Sequence, residues 1–273
     1  MPDCFTSAKP LNVQQLPVPD EMAQAVSERL MKQIKRAIDQ TPHGIPFDRF
    51  MEMALYAPGL GYYVAGSRKF GETGDFITSP EVSPLFAQCM ARQAVPVLQR
   101  VEGASVLEFG AGSGRLAADM LAELERLDCL PERYAILELS PELQARQKET
   151  LRSEVPHLLE RVVWLQQLPQ RFDGFVVANE LLDAMPVSRF RVGREGFEEA
   201  FVVATEEGLG ERFESVESPL LSAALEKIDT AEEGLPLGFV SELNLRQASW
   251  LQSLAACMGT VSYTHLRAHE TAT

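Results

Sequence analysis

Residues 105–124 read SVLEFGAGSGRLAADMLAEL and decide the fold. Ser105–Phe109 is a short run of β-favouring residues that stops at a cluster of three glycines within residues 110–114. Helical periodicity then begins at Leu116. This order predicts a strand, a tight loop and a helix. The glycines let the backbone of the loop approach a bound group that a Cβ atom would exclude.

The same unit repeats further along the chain. Strands are predicted at Tyr134–Leu139, Val162–Leu165 and Gly174–Ala178, and Ser140-Pro141-Glu142 has the hydroxyl, proline and acid typical of a helix start. The strands do not alternate apolar and polar residues, which indicates that both of their faces are covered. The pattern predicts an α/β protein with a doubly wound, mostly parallel, Rossmann-like sheet.

Other segments surround this sheet. Residues 1–19 contain several prolines and predict an irregular lead-in, and residues 20–100 predict an N-terminal helical region with a glycine-rich loop. The sheet domain covers residues 101–260, with an acidic insertion at about 188–242 that has strands of its own. Residues 261–273 form a polar tail.

Composition limits the classes of function. The chain has 273 residues, 45% of them hydrophobic, and a formal net charge of −14. Thirteen acids against three bases lie between Arg194 and Glu242. This balance disfavours a nucleic-acid partner and favours a basic or neutral protein, although a solvated surface explains the charge equally well. No apolar run approaches the ~20 residues of a membrane span.

Cysteine and histidine usage gives no sign of a metal site. The four cysteines are scattered without CxxC pairs, so neither a disulfide framework nor a zinc ribbon is predicted.

The N-terminus lacks the features of a signal or transit peptide. We therefore expect a cytoplasmic protein of bacterial type.

The charge beside the glycine loop indicates which cofactor it binds. A dinucleotide fingerprint would place its third glycine at position 115, where Arg115 stands, and pyrophosphate would be repelled by Glu108. S-adenosylmethionine (SAM) carries a sulfonium and an ammonium group, which an acid attracts. Glu138 follows Gly114 by 24 positions, close to the ~20 at which an acid meets ribose hydroxyls. A simple tight turn and a solvated glutamate remain the alternatives. The predicted cofactor-binding residues are Glu108, Gly110, Gly112, Gly114 and Glu138.

Six segments of the chain carry a family resemblance. They are Phe50–Tyr56, Gly61–Tyr63, Gly74–Ser83, Glu108–Gly114, Glu138–Pro141 and Ala178–Val187. These segments resemble the MidA family of class I SAM-dependent methyltransferases. The resemblance implies SAM as cofactor, a protein substrate and methyl transfer to arginine, as assigned to mitochondrial members that assist assembly of respiratory complex I.

Asn179, Glu180 and Asp183 are the predicted catalytic residues on the acceptor side, with Glu180 as first choice. Methyl transfer needs donor and nucleophile in line, so positioning supplies most of the catalysis. Paired carboxylates hold a guanidinium well. Alternatively, Asn179 is only the N-cap of a following helix and Glu180 lies in its first turn.

The segment from Gly74 to Glu81 lies over the cofactor in the family. Asp75, Thr78 and Ser79 are therefore predicted to form a lid or an additional SAM contact. Capping of a turn and of a helix by Asp75 and Ser79 is the structural alternative.

The C-terminal end departs from the family pattern. Another core strand rich in Leu, Ile and Val would follow Gly259, whereas Val261–Thr273 is polar and resembles a translated sequencing adapter. We expect no strand there, a missing native C-terminal part, and a helix at Arg246–Cys257 with uncovered apolar surface.

Two alternative functions remain. One is a non-catalytic SAM-binding scaffold, and the other is a nucleotide-dependent oxidoreductase, which Glu108 and Arg115 disfavour.

Overall fold

The structure, a computed structural model, describes residues 20–64, 79–229 and 234–266. The α-helices of these residues are α1 (Glu21–Asp39), α2 (Phe47–Tyr56), α3 (Ser79–Val82), α4 (Pro84–Arg100), α5 (Arg115–Arg126), α6 (Pro141–Glu154), α7 (Pro219–Asp229) and α8 (Gln247–Cys257). Their β-strands are β1 (Ile45–Pro46), β2 (Ser105–Phe109), β3 (Tyr134–Leu137), β4 (Val162–Leu165), β5 (Phe172–Asn179), β6 (Ser188–Val192), β7 (Phe197–Thr205), β8 (Gly208–Ser215), β9 (Val240–Leu243) and β10 (Met258–Leu266). No helix among them is long and apolar enough to cross a membrane.

A parallel sheet forms the centre of the fold. Its strand order is β10-β5-β2-β3-β4, and every neighbouring pair runs parallel. The chain moves outward from β2 to β3 and β4, and then returns to the other side of β2 with β5. This is the predicted doubly wound arrangement, and the change of direction between β2 and β5 is the topological switch point at which such sheets bind ligands.

Helices cover both faces of this sheet, as the lack of alternation predicts. Val106 points to one face, where it packs with Ala91 of α4 and Leu121 of α5. Leu107, the next residue, points to the other face and packs in the same cluster as Leu254 of α8. Because successive side chains of a strand face opposite sides, both must be apolar when both sides are buried.

The acidic insertion forms a second, antiparallel sheet. Strand β7 pairs with β8, with β6 and with β1, and β6 pairs with β9. The N-terminal region is thus not purely helical, because Ile45 of β1 lies opposite Val202 of β7. Ile34 and Ile38 of α1 and Met53 of α2 are buried on Val202. The N-terminal helices are therefore packed on the insertion.

The expectation that no strand follows Gly259 is wrong. Strand β10 runs parallel to β5, from Val261 opposite Gly174 to Leu266 opposite Asn179. Without this pairing the edge of β5 would leave a row of unpaired N–H and C=O groups. Residues 267–273 lie outside the described part of the chain.

The expected exposure of the preceding helix is present at Leu251, which is 40% exposed, but not on the side of α8 that faces the sheet. Leu254 and Cys257 of α8 are buried in the cluster that covers one face of the sheet. Trp250 packs edge to face on Phe109, with 5.3 Å between the ring centroids. One side of α8 therefore packs on the sheet, and the helix leads directly into β10.

One glycine permits the central strand pairing. Gly174 has a φ of +143°, and a Cβ atom there would lie 1.9 Å from the carbonyl oxygen of Ser105. We expect Gly174→Ala to lower the free energy of unfolding by about 3 kcal/mol, because backbone strain and a clash with β2 act together. Urea denaturation measures the change. Gly208→Ala is the matched control, since Gly208 has a φ of +137° but nothing within 4 Å of the added Cβ. An equal decrease in the free energy of unfolding of the two variants would contradict the predicted clash with Ser105.

Candidate active site

A cavity of about 850 Å³ opens at the carboxyl ends of β2, β3 and β5. It lies at the topological switch point, where parallel α/β sheets bind ligands. Its walls include many of the residues predicted from the sequence. These are Glu108, Gly110, Gly112, Glu138, Asn179, Glu180 and Asp183.

The three glycines of the loop have different positions. Gly110 and Gly112 line the cavity, with φ angles of +62° and +53°. Gly114 does not line it and instead precedes α5 with a φ of +85°. A Cβ atom on Gly114 would lie 3.0 Å from the Cα atom of Gln147 on α6. This glycine allows the close approach of helix α6 to the loop.

Glu108 is a buried carboxyl at the floor of the cavity. Its side chain is only 2% exposed, and its Oε2 atom accepts a hydrogen bond of 2.7 Å from the Tyr134 hydroxyl. Burial raises the pKa of Glu108 to about 7, although the Tyr134 hydrogen bond acts in the opposite direction. A cationic ligand would favour the charged form of this carboxyl.

Glu138 is also buried, and both of its carboxylate oxygens have partners. The Ser140 backbone N–H donates to Oε1 at 2.9 Å, and the Gln147 amide donates to Oε2 at 3.2 Å. Gln144 donates to the backbone oxygen of Glu138 at 2.7 Å. The bonds from Ser140 and Gln147 fix the orientation of the carboxylate, whereas the Gln144 bond holds only the backbone at the end of β3.

Sequence reasoning missed Gln147 as a residue of the site. A usable signal is its place between Leu143 and Leu151, four residues from each, on one side of α6. A polar side chain in such an apolar stripe must find partners in the interior.

The predicted acceptor side is formed by a turn rather than by a helix. Asn179 ends β5, and Leu182–Ala184 forms a short 3₁₀ turn that carries Asp183. The alternative of Asn179 as the N-cap of a regular helix is therefore wrong. Glu180 has a φ of +53°, a conformation that is costly for a residue with a side chain and that occurs preferentially at functional sites.

Two tyrosines of the N-terminal region complete this side of the cavity. The Tyr56 hydroxyl donates to the backbone oxygen of Ala184 at 2.6 Å, and its ring stacks on that of Tyr63 at 5.5 Å. Burial raises the pKa of Tyr63, and the negative charges of Glu180 and Asp183 raise it further. Neither tyrosine was predicted as a site residue, although both stand in the motifs that resemble the family.

The structure describes only the end of the segment predicted to form a lid. Asp75 and Thr78 lie outside the described residues, and Ser79 begins α3 without lining the cavity. Its neighbour Glu81 does line the cavity, and the carboxylate of Glu81 accepts a short hydrogen bond from Ser113 in the glycine loop.

The charge of the cavity has one sign. Among the described residues that line it are five acids and no lysine, arginine or histidine. Such a wall attracts a cation and repels a phosphate group. No group of three His, Cys, Asp or Glu residues suited to a metal ion occurs in the described ranges. The acids that line the cavity are Glu81, Glu108, Glu138, Glu180 and Asp183.

One of two similar crystal structures contains a SAM derivative. A Burkholderia thailandensis crystal structure with bound S-adenosyl-homocysteine is 40% identical, with a TM-score of 0.82 over 91% of this chain and 65% of that one. A second crystal structure from this organism is 38% identical, with a TM-score of 0.78 over 89% of this chain and 62% of that one. SAM is therefore the cofactor, and it suits the acidic cavity.

Curated relatives are named as protein arginine methyltransferases. The mitochondrial NDUFAF7 homolog of Drosophila melanogaster is 30% identical over 206 residues, which are 67% of this chain and 46% of the relative. Mitochondrial NDUFAF7 of Danio rerio is 27% identical over 226 residues, or 73% and 53% of the two chains. The chain thus spans about half the length of these relatives.

The family itself follows from a match that covers more than half of the chain. Residues 89–266 fit the family described as "Putative S-adenosyl-L-methionine-dependent methyltransferase". The match includes the glycine loop, Glu138 and the acceptor-side turn. As its motifs predict, the chain belongs to this MidA-like family of SAM-dependent methyltransferases.

Proposed function

We propose that this methyltransferase acts on a protein, with the arginine guanidinium as its favoured acceptor. The observation that carries the proposal is the cavity with five acids and no basic residue among its described walls. A guanidinium is a planar cation that carboxylates hold in bidentate geometry. The names of the curated relatives support the same acceptor.

The cofactor would occupy the side of the cavity nearest the glycine loop. Gly110 and Gly112 have no side chain, so SAM can approach the backbone of the loop closely. Glu108 supplies negative charge near the cationic groups of SAM, and Glu138 accepts hydrogen bonds from the ribose hydroxyls. Leu139 and Leu143 add apolar walls for the adenine ring. When bound, SAM supplies an electrophilic methyl group.

The acceptor would lie between the turn after β5 and the two tyrosines. Glu180 and Asp183 hold the guanidinium and stabilise the charge that builds on its attacking nitrogen. Asn179 orients the group from the end of β5. The stacked rings of Tyr56 and Tyr63 offer an aromatic wall, which also attracts a cation.

Gly112→Val is expected to abolish SAM binding, because a branched side chain at a φ of +53° would distort the loop and fill the cavity. Isothermal titration calorimetry with SAM measures this loss. The control is Gly196→Val, since a Cβ atom on Gly196 meets nothing within 4 Å. Unchanged affinity in a folded Gly112→Val protein would place the cofactor elsewhere, and NAD binding by the wild type would favour an oxidoreductase.

SAM affinity should rise with pH through about 7, the pKa of Glu108. A cationic ligand stabilises the carboxylate, so below this pH binding must expel a proton and the affinity falls by up to about tenfold per pH unit. Calorimetry from pH 5.5 to 8.5 measures the slope. In Glu108→Gln the slope should disappear and the affinity should be low throughout. An equal slope in both proteins would assign the titration to another group.

Glu180→Gln should leave SAM affinity unchanged and lower methyl transfer on the order of 100-fold, the loss typical of one preorganised electrostatic contact. Calorimetry gives the affinity, and labelled SAM with a basic protein extract gives the rate. Glu195→Gln is the control, because Glu195 is an exposed acid of the insertion. Equal losses of binding and transfer would move Glu180 to the cofactor side. Normal SAM binding by the wild type with no transfer to any protein would favour the non-catalytic scaffold.

A further inference from the structure

We propose that Gln147 is a positioning residue that sets the ribose selectivity of the cofactor site. It holds the Glu138 carboxylate in place and ties it to the glycine loop. This inference rests on the ribose-binding role proposed above for Glu138. Gln147 does not line the cavity, so it acts through its neighbours.

The Gln147 amide makes three hydrogen bonds in a fully buried position. Its Nε2 atom donates to Glu138 Oε2 and to the Gly112 backbone oxygen, both at 3.2 Å. Its Oε1 atom accepts from the Trp164 indole N–H at 2.9 Å. The side chain is 0% exposed. The partners fix the orientation of the amide, because exchanging its oxygen and nitrogen would oppose like groups at all three contacts.

Helix α6 is braced against the glycine loop around this amide. Gly114 provides the space, since a Cβ atom there would lie 3.0 Å from the Cα atom of Gln147. One turn further along α6, the Thr150 hydroxyl donates to the backbone oxygen of Ser113 at 2.7 Å. Gln147 is therefore held on a rigid surface that contacts the loop and the end of β3 together.

The bond to Glu138 has a specific consequence for the carboxylate. Oε1 is held by the Ser140 N–H and Oε2 by Gln147, so the plane of the carboxylate is fixed before a ligand arrives. A vicinal diol is recognised well only by acceptors that are already in position. Loss of the Gln147 donor would free Oε2 to rotate and would leave the Trp164 N–H without its partner.

Gln144 provides a matched control on the same helix. Its amide also bonds to Glu138, at 2.7 Å, but to the backbone oxygen rather than to the carboxylate. Gln144→Met and Gln147→Met therefore remove the same chemical group from the same helix at similar side-chain volume. Only the second change releases the carboxylate.

The test compares calorimetric affinities for S-adenosyl-homocysteine and for its 2′-deoxyribose analogue. We expect wild type to prefer the ribose form by about 30-fold, the loss typical of one hydrogen bond to a charged group. Gln147→Met should reduce this preference at least fivefold, whereas Gln144→Met should retain it. Glu138→Ala should remove it. A general loss of stability would weaken both ligands equally and would not change their ratio.

Each result is decisive. An unchanged preference in Glu138→Ala would refute the ribose role itself. Loss of preference in Glu138→Ala but not in Gln147→Met would refute the positioning role alone. If Gln147→Met fails to fold, Trp164→Phe replaces it, because removing the indole N–H releases the amide from its oxygen side. That variant should lower the preference about threefold, and an unchanged ratio would overturn the proposal.

Discussion

The parallel pairing of β2 with β3 on one side and β5 on the other is the constraint on which the molecule depends. It brings three strand ends to one edge of the sheet and leaves a crevice at the point where the chain changes direction. The glycine loop, the Glu138 carboxylate and the turn after Asn179 all follow directly from those ends. The pairing in turn requires Gly174, because any side chain there would meet the backbone of Ser105. Core packing and active-site geometry are thus set by the same strand contacts.

Electrostatics then select the ligand. Glu108 is buried with no basic residue among the described walls of the cavity, which is costly, and the raised pKa of this carboxyl expresses that cost. A cationic cofactor relieves it, whereas a dinucleotide would add phosphate charges of the same sign. The fold of the sheet is shared with nucleotide-binding proteins, so the sign of the charge at the strand ends, rather than the fold, distinguishes a SAM site from a dinucleotide site.

The wall of the cavity that we propose for the acceptor depends on segments that are far apart in the chain. Helix α2 is held on the insertion through Met53 and Val202, and this packing places Tyr56 where its hydroxyl reaches Ala184, 128 residues away. The N-terminal region and the acidic insertion therefore both determine the shape of one wall of the cavity. Glu180, with its strained backbone, belongs to the same wall.

The sequence by itself determined the features that local rules control. Ser105–Phe109, the helix start at Ser140 and the acids at strand ends follow from periodicity, capping and spacing, and they predict the sheet and most of the cofactor side. Only the tertiary structure decided the partners of Gln147, the tyrosine wall and the position of β10. These features depend on contacts between segments that are distant in the sequence, which local patterns do not predict. The hydrogen bonds of a buried amide are set by the groups around it, and an edge strand pairs because the neighbouring strand has an open edge.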